Sequence, residues 1–265
     1  MLRLRVSEKS NCRLIRRILQ CMILIVVACF MMRYAYYNWI CIPHELQTTL
    51  RLKKNADDPL NGKIFLFIGD SICYGEGADG KSYPFWVKTY HPEAHVYNFG
   101  LGGMPMGARE DNEYTLMARI DKGEFEYFRN KADYIILQGG INDIIMGIPL
   151  GECRGEKNEP INPYTFCGGL EYALQYFTEN FPDAAVYYMS TYPCKAQELE
   201  MQEEQWNAAE EIAAKWNITY IDLFHAIPME TLEGEYDTWL HAPAVVHEKL
   251  ILPVIENVLA EVENE

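Results

Sequence analysis

The stretch Lys63-Ile64-Phe65-Leu66-Phe67-Ile68-Gly69-Asp70-Ser71-Ile72 decides how the chain is read. Five apolar residues in succession, most of them β-branched or aromatic, break off at Gly-Asp and give way to a hydroxyl. An apolar run without alternation is what a strand needs when both faces of its sheet are covered. Runs of the same kind recur at 95–99, 134–137, 185–190 and 218–223. Helical patterns lie between them, clearest at 164–181, 198–216 and 246–262, the last with Leu250, Val254, Ile255 and Val258 on one face. Strands alternating with helices predict one α/β domain over residues 63–265, built on a parallel sheet of about five strands.

Ligands of an open parallel sheet bind outside the carboxyl ends of its strands. The first run is followed there by Gly69-Asp70-Ser71-Ile72 and the second by Asn98-Phe99-Gly100-Leu101-Gly102-Gly103. The third is followed by Gly139-Gly140-Ile141-Asn142-Asp143, and Asp237-Thr238-Trp239-Leu240-His241 precedes the final helix. Brought to one sheet edge, these segments supply what acyl transfer requires. A serine hydroxyl becomes nucleophilic when an imidazole takes its proton, and the imidazole needs an acceptor on its other nitrogen. Ser71 is the candidate nucleophile, His241 the base and later the acid, and Asp237 the orienting carboxylate. The backbone N–H groups of Ser71 and Gly103 and the side-chain amide of Asn142 are the candidate oxyanion donors, each worth about 2.7–4 kcal/mol. A glycine at 103 lets the backbone approach a substrate.

These four blocks resemble the SGNH, or GDSL-type, hydrolases: Gly69-Asp70-Ser71-Ile72, Asn98-x-Gly100-x-x-Gly103, Gly140-x-Asn142-Asp143 and the His241 segment, in that order over residues 63–262. The resemblance implies a three-layer flavodoxin-like fold and ester hydrolysis without metal or cofactor. One spacing departs from the family. Its Asp usually stands three residues before the catalytic His, whereas Asp237 stands four before His241, with Thr238 in the usual place. Either a one-residue bulge restores the geometry, or His241 leans on a backbone carbonyl.

Other readings of these residues are blander. Ser71 could simply cap a helix, Asn142-Asp143 could close a strand with an Asx turn, and the glycines could form a tight turn. The dinucleotide pattern G-x-G-x-x-G is not met, and His44, His91, His95 and His225 lack metal-ligand spacing. His247 reads as an exposed helix residue, Tyr192 as a packing contact, and Cys73 as a rival thiol nucleophile. Cys153 and Cys167 bracket a loop rich in Gly, Pro and charge, where a disulfide is compatible with the spacing but not deducible from it.

Charge divides the chain. Residues 1–54 carry a net +8 and the remainder −23, giving −15 over 265 residues. So acidic a body repels phosphate backbones, which excludes nucleic acid as a partner. The N-terminal segment, residues 1–42, puts Arg3, Arg5, Lys9, Arg13, Arg16 and Arg17 before an apolar run from 18 to 32. That run makes only about 22 Å of helix, but it reaches membrane length through Tyr34–Ile40 if Arg33 snorkels. The pattern predicts a signal anchor through residues 18–42, with the catalytic domain outside the cytoplasm. A cleaved signal, or a lipoprotein signal with Cys29 as the lipidated residue, are the alternatives. Residues 43–62 read as a linker.

The expected activity is therefore a membrane-anchored serine esterase acting on short acyl, chiefly acetyl, esters of small molecules or glycans. A lipid acylhydrolase or lysophospholipase, an acetyltransferase, a non-catalytic binding module and a flavoprotein of the same topology are the rivals.

Overall fold

The computed structural model describes residues 58–110, 113–153, 159–235 and 239–262. Five parallel strands, β1 (Ile64–Ile68), β2 (His95–Asn98), β3 (Tyr134–Gln138), β4 (Ala185–Met189) and β5 (Thr219–Ile221), form one sheet in the order β2-β1-β3-β4-β5. The five apolar runs are the five strands, each placed within a residue or two at its ends. The chain leaves β1 toward β2 on one side and later adds β3 on the other. The crevice between β1 and β3 is therefore the topological switch point of the sheet.

Side chains alternate between the two faces of each strand. Leu66, Ile68, Ile135, Leu137 and Tyr188 face one cluster, shared with α3 (Leu116–Asp121), α5 (Phe166–Asn180) and α6 (Leu199–Trp216). On the other face Phe65 stacks on Tyr134, centroids 4.6 Å apart, and Phe67 meets Tyr83 of α2 (Tyr83–Tyr90) edge-on at 5.5 Å. Truncating a buried ring such as Phe67 to alanine removes about 3–5 kcal/mol. Covered faces explain why β1, β3 and β4 read as continuous apolar runs.

The short helices α1 (Ser71–Tyr74) and α4 (Ile141–Met146) begin directly after β1 and β3, on either side of the switch point. Beyond β5 come α7 (Leu223–Ala226), α8 (Met229–Glu235), α9 (Ala244–Val246), a π-turn (His247–Ile251) and α10 (Leu252–Val262). The helix expected over 246–262 is thus interrupted. Pro253 lacks the N–H that would bond the carbonyl of Lys249, and its ring crowds that carbonyl, so the turn widens just before it.

The π-turn corrects the reading of His247, which is buried rather than exposed. Its ring lies 6.0 Å from that of Tyr83, and among the described residues neither ring nitrogen has a hydrogen-bond partner. The nearby Ala242 carbonyl falls short of one. Burial pushes its pKa down to about 4.

At the end of the expected linker, Leu60 is buried, and Asp58 binds His91 Nδ1 at 2.8 Å while Glu256 binds its Nε2 at 3.1 Å. Residues 58–62 thus pack on the domain. The sulfurs of Cys153 and Cys167 stand 3.2 Å apart as free thiols. No helix among the described residues is long and apolar enough to cross a membrane, and the proposed anchor at 18–42 lies outside them.

Candidate active site

Ser71 opens α1 because Asp70 caps it. Asp70 Oδ1 accepts from the Ile72 amide at 2.8 Å, and Gln138 at the end of β3 donates to Oδ2 at 3.3 Å. The Asp70 carboxyl is fully buried, which raises its pKa to about 7. Ser71 Oγ lies 2.8 Å from His241 Nε2, across 170 residues of sequence. The two candidate reacting groups are therefore in hydrogen-bond contact in the absence of substrate.

His241 is held by its backbone. The Tyr192 hydroxyl donates to the carbonyl of Leu240 at 2.7 Å and accepts from the amide of Ala242 at 2.9 Å, bracketing the histidine on both sides. Gly77 presses on it from α1's side: at φ +76 a Cβ there would come within 2.8 Å of His241 Cβ. Nε2 also faces Glu76 Oε2 at 3.4 Å. Glu76 shares the nitrogen that faces Ser71, so it cannot be the acceptor that fixes Nδ1. The described residues give Nδ1 no partner, and Asp237, the expected one, lies outside them together with Thr238.

The glycine loop after β2 is tied at both ends. Near its start, Asn98 Oδ1 accepts from the Gly100 amide at 2.8 Å while its Nδ2 donates to the Cys73 carbonyl at 2.9 Å, joining loop to α1. At its far end, the Asp143 carboxylate accepts from the amides of Met106 at 2.9 Å and Gly107 at 2.7 Å. Asp143 is buried and its pKa is raised by desolvation to about 7. Asn142 donates one of its two amide hydrogens to the Met104 carbonyl at 3.2 Å, leaving the other for a ligand.

Gly103 sits between these ties. Its glycine is required by its backbone, at φ +72, rather than by crowding: an added Cβ would meet only Met146 Cε, at 4.0 Å. This conformational requirement adds to the expected one, that the backbone there come close to a substrate. Cys73 is no rival nucleophile, because burial pushes its thiol up to about 12.

The structure thus brings together Ser71 and His241, and ties the Gly103 loop to the Asn142 helix. Sequence reasoning missed Tyr192, the roles of Asp70, Asn98 and Asp143 as struts, and Glu76. The Asn98 and Asp143 positions were visible inside quoted motifs; Tyr192 and Glu76 carried no motif. Among the described residues, no group of three His, Cys, Asp or Glu side chains could hold a metal ion.

Residues 67–248 match the family model of the GDSL-like lipase/acylhydrolases. No curated protein matches the chain. Solved structures share the fold. A protein from Lactobacillus plantarum is 20% identical, with a TM-score of 0.62 over 76% of this chain and 98% of its own. A protein from Chitinophaga pinensis is 17% identical, with a TM-score of 0.59 over 76% and 99%. The lipase/acylhydrolase from Enterococcus faecalis is 22% identical, with a TM-score of 0.52 over 73% and 94%.

Proposed function

The chain belongs to the GDSL-like lipase/acylhydrolase family of ester-hydrolysing enzymes, and from that premise we propose that it removes short acyl groups, acetyl foremost, from the hydroxyls of carbohydrates through Ser71, His241 and Asp237. The observation that carries the reading is the 2.8 Å contact between His241 Nε2 and Ser71 Oγ.

In this mechanism Ser71 Oγ attacks the ester carbonyl as its proton passes to His241 Nε2. The oxyanion is met by the backbone amides of Ser71 and Gly103 and by the free amide hydrogen of Asn142. The tetrahedral intermediate collapses, and His241 returns the proton to the departing alcohol oxygen. A water molecule, deprotonated by the same imidazole, then releases the acid from Ser71. Asp237 accepts from Nδ1–H and holds the imidazolium while it exists, which requires a bulge of one residue before His241.

Two exposed aromatic rings support a sugar as the alcohol part. Tyr74 closes the helix that Ser71 opens and is 57% exposed; Trp239 precedes His241 by two residues and is 60% exposed. Flat amphipathic rings carried on the same short segments as Ser71 and His241 suit the apolar faces of a sugar. The N-terminal apolar segment supports a location at the outer face of a membrane.

The test follows hydrolysis of p-nitrophenyl esters from acetate to decanoate, beside an acetylated oligosaccharide, for the wild type, Ser71→Ala and Asp237→Asn. Rates highest for acetate, absent in Ser71→Ala and reduced at least a hundredfold in Asp237→Asn, are expected. Rates rising with chain length would replace the carbohydrate reading with a lipid one.

A further inference from the structure

We propose that Glu76 is a specificity-determining residue that reads the charge of the leaving alcohol, favouring esters whose alcohol carries an ammonium group. The inference rests on the esterase reading, since it needs His241 as the group that returns a proton to the alcohol.

The alcohol oxygen must come within hydrogen-bond distance of His241 Nε2 when the acyl–oxygen bond breaks. Glu76 Oε2 lies 3.4 Å from that same nitrogen, so its carboxylate stands beside the place where the alcohol departs. Its position is fixed by α1's own turn: the Glu76 amide donates to the Ser71 carbonyl at 3.0 Å. The other carboxylate oxygen, Oε1, lies against Gly102 on the oxyanion-loop side, where a Cβ would come within 2.5 Å of it. Glu76 thus spans the gap between the histidine and the glycine loop, across the mouth of the site.

Among the described residues, His241 is the one ion-pair partner of Glu76, and that pair exists only while the imidazole is protonated. The side chain is 44% exposed, which leaves it open to an incoming group. The next acidic side chain below it, Asp70, has the same sign when ionised.

A carboxylate in this place attracts an alcohol bearing a cation within two or three bonds of its oxygen, and repels an anionic one. At about 5–6 Å and near-solvent screening, one such pair changes the relative rate about three- to tenfold. An amino sugar with a free amine fits both this preference and the exposed rings of Tyr74 and Trp239.

The experiment compares kcat/KM of the full chain for acetylcholine and for 3,3-dimethylbutyl acetate, its neutral isostere, at low and high salt. Three proteins are used: the wild type, Glu76→Gln, and Asp183→Asn as a charge control placed before β4, at the opposite edge of the sheet. The expected result is a three- to tenfold preference for the cationic ester in the wild type and in Asp183→Asn. It shrinks with salt and falls to near unity in Glu76→Gln. An equal preference in Glu76→Gln and wild type, or none in the wild type, overturns the proposal while leaving the esterase intact. Failure of the folded wild type to hydrolyse either ester or p-nitrophenyl acetate overturns the underlying reading instead.

Discussion

Tyr192 clamps the backbone of His241 with one oxygen, donating to the residue before it and accepting from the residue after it. The phenol is buried, and burial holds it in the neutral O–H form that both bonds require. The candidate base is thereby hung from the loop after β4, not from the short stretch that leads into α9.

Tyr192→Phe keeps the ring and removes both bonds. It leaves the Leu240 carbonyl and the Ala242 amide without their partner, at a cost of about 2 kcal/mol of stability. Ester hydrolysis is expected to lose about tenfold or more in kcat with little change in KM, because the imidazole drifts relative to Ser71. Denaturant melts and Michaelis–Menten curves check the two halves separately.

Asp70 is expected to make the protein less stable as pH rises. Its folded pKa, about 7, lies above the unfolded value of 3.8, so the folded state binds the proton more tightly. Its stabilisation is complete below the unfolded value and is lost as pH climbs through about 7, with a slope of up to about 1.4 kcal/mol per unit. Asp143 adds in the same direction. Asp70→Asn, which can keep the cap to Ile72, flattens the decline between pH 5 and 8 in urea melts; an unchanged slope would show that Asp70 is not the source.

His247 acts with the opposite sign. Its folded pKa of about 4 lies below the ordinary 6.5, so the unfolded state takes up the proton first. Its contribution is fully present above 6.5 and is lost as pH falls toward 4. His247→Leu removes two unpartnered buried nitrogens and is expected to raise stability at pH 7 by about 1–2 kcal/mol. It also abolishes this part of the acid limb, which melts at pH 4, 5, 6 and 7 will show.

Cys153 and Cys167, 3.2 Å apart, are expected to form a disulfide when oxidised glutathione accepts their two electrons. Two thiols then become unreactive to alkylation in the wild type but not in Cys153→Ser. Closing this loop of fifteen residues should add about 3 kcal/mol.

How far the sequence foretold this architecture varies with the origin of each feature. The strands were legible because burial on both faces leaves an apolar run that survives without context, and 64–68 reproduces β1 at both ends. The convergence of the Ser71, Gly103 and Asn142 segments followed from strand ends in a parallel sheet, whereas the His241 segment was placed by its motif alone. The π-turn was not legible, since it depends on Pro253 acting four residues back on a helix whose apolar pattern continues across it. The burial of His247 comes with that turn. Tyr192 was unreadable for another reason: its two partners are backbone atoms 48 and 50 residues away, which leave no mark in composition or spacing. Asp143 was visible as part of a block but not as a strut, because its partners are the amides of a loop nearly forty residues upstream.

Covalent trapping shows whether Ser71 is a nucleophile activated by His241. The full chain is treated with a fluorophosphonate, and the modified peptide is located by mass spectrometry, beside Ser71→Ala and His241→Ala. One adduct per chain is expected, on Ser71, absent in Ser71→Ala and formed at least a hundredfold more slowly in His241→Ala. A folded wild type that forms no adduct, or forms it elsewhere, would rule out Ser71 as the activated nucleophile.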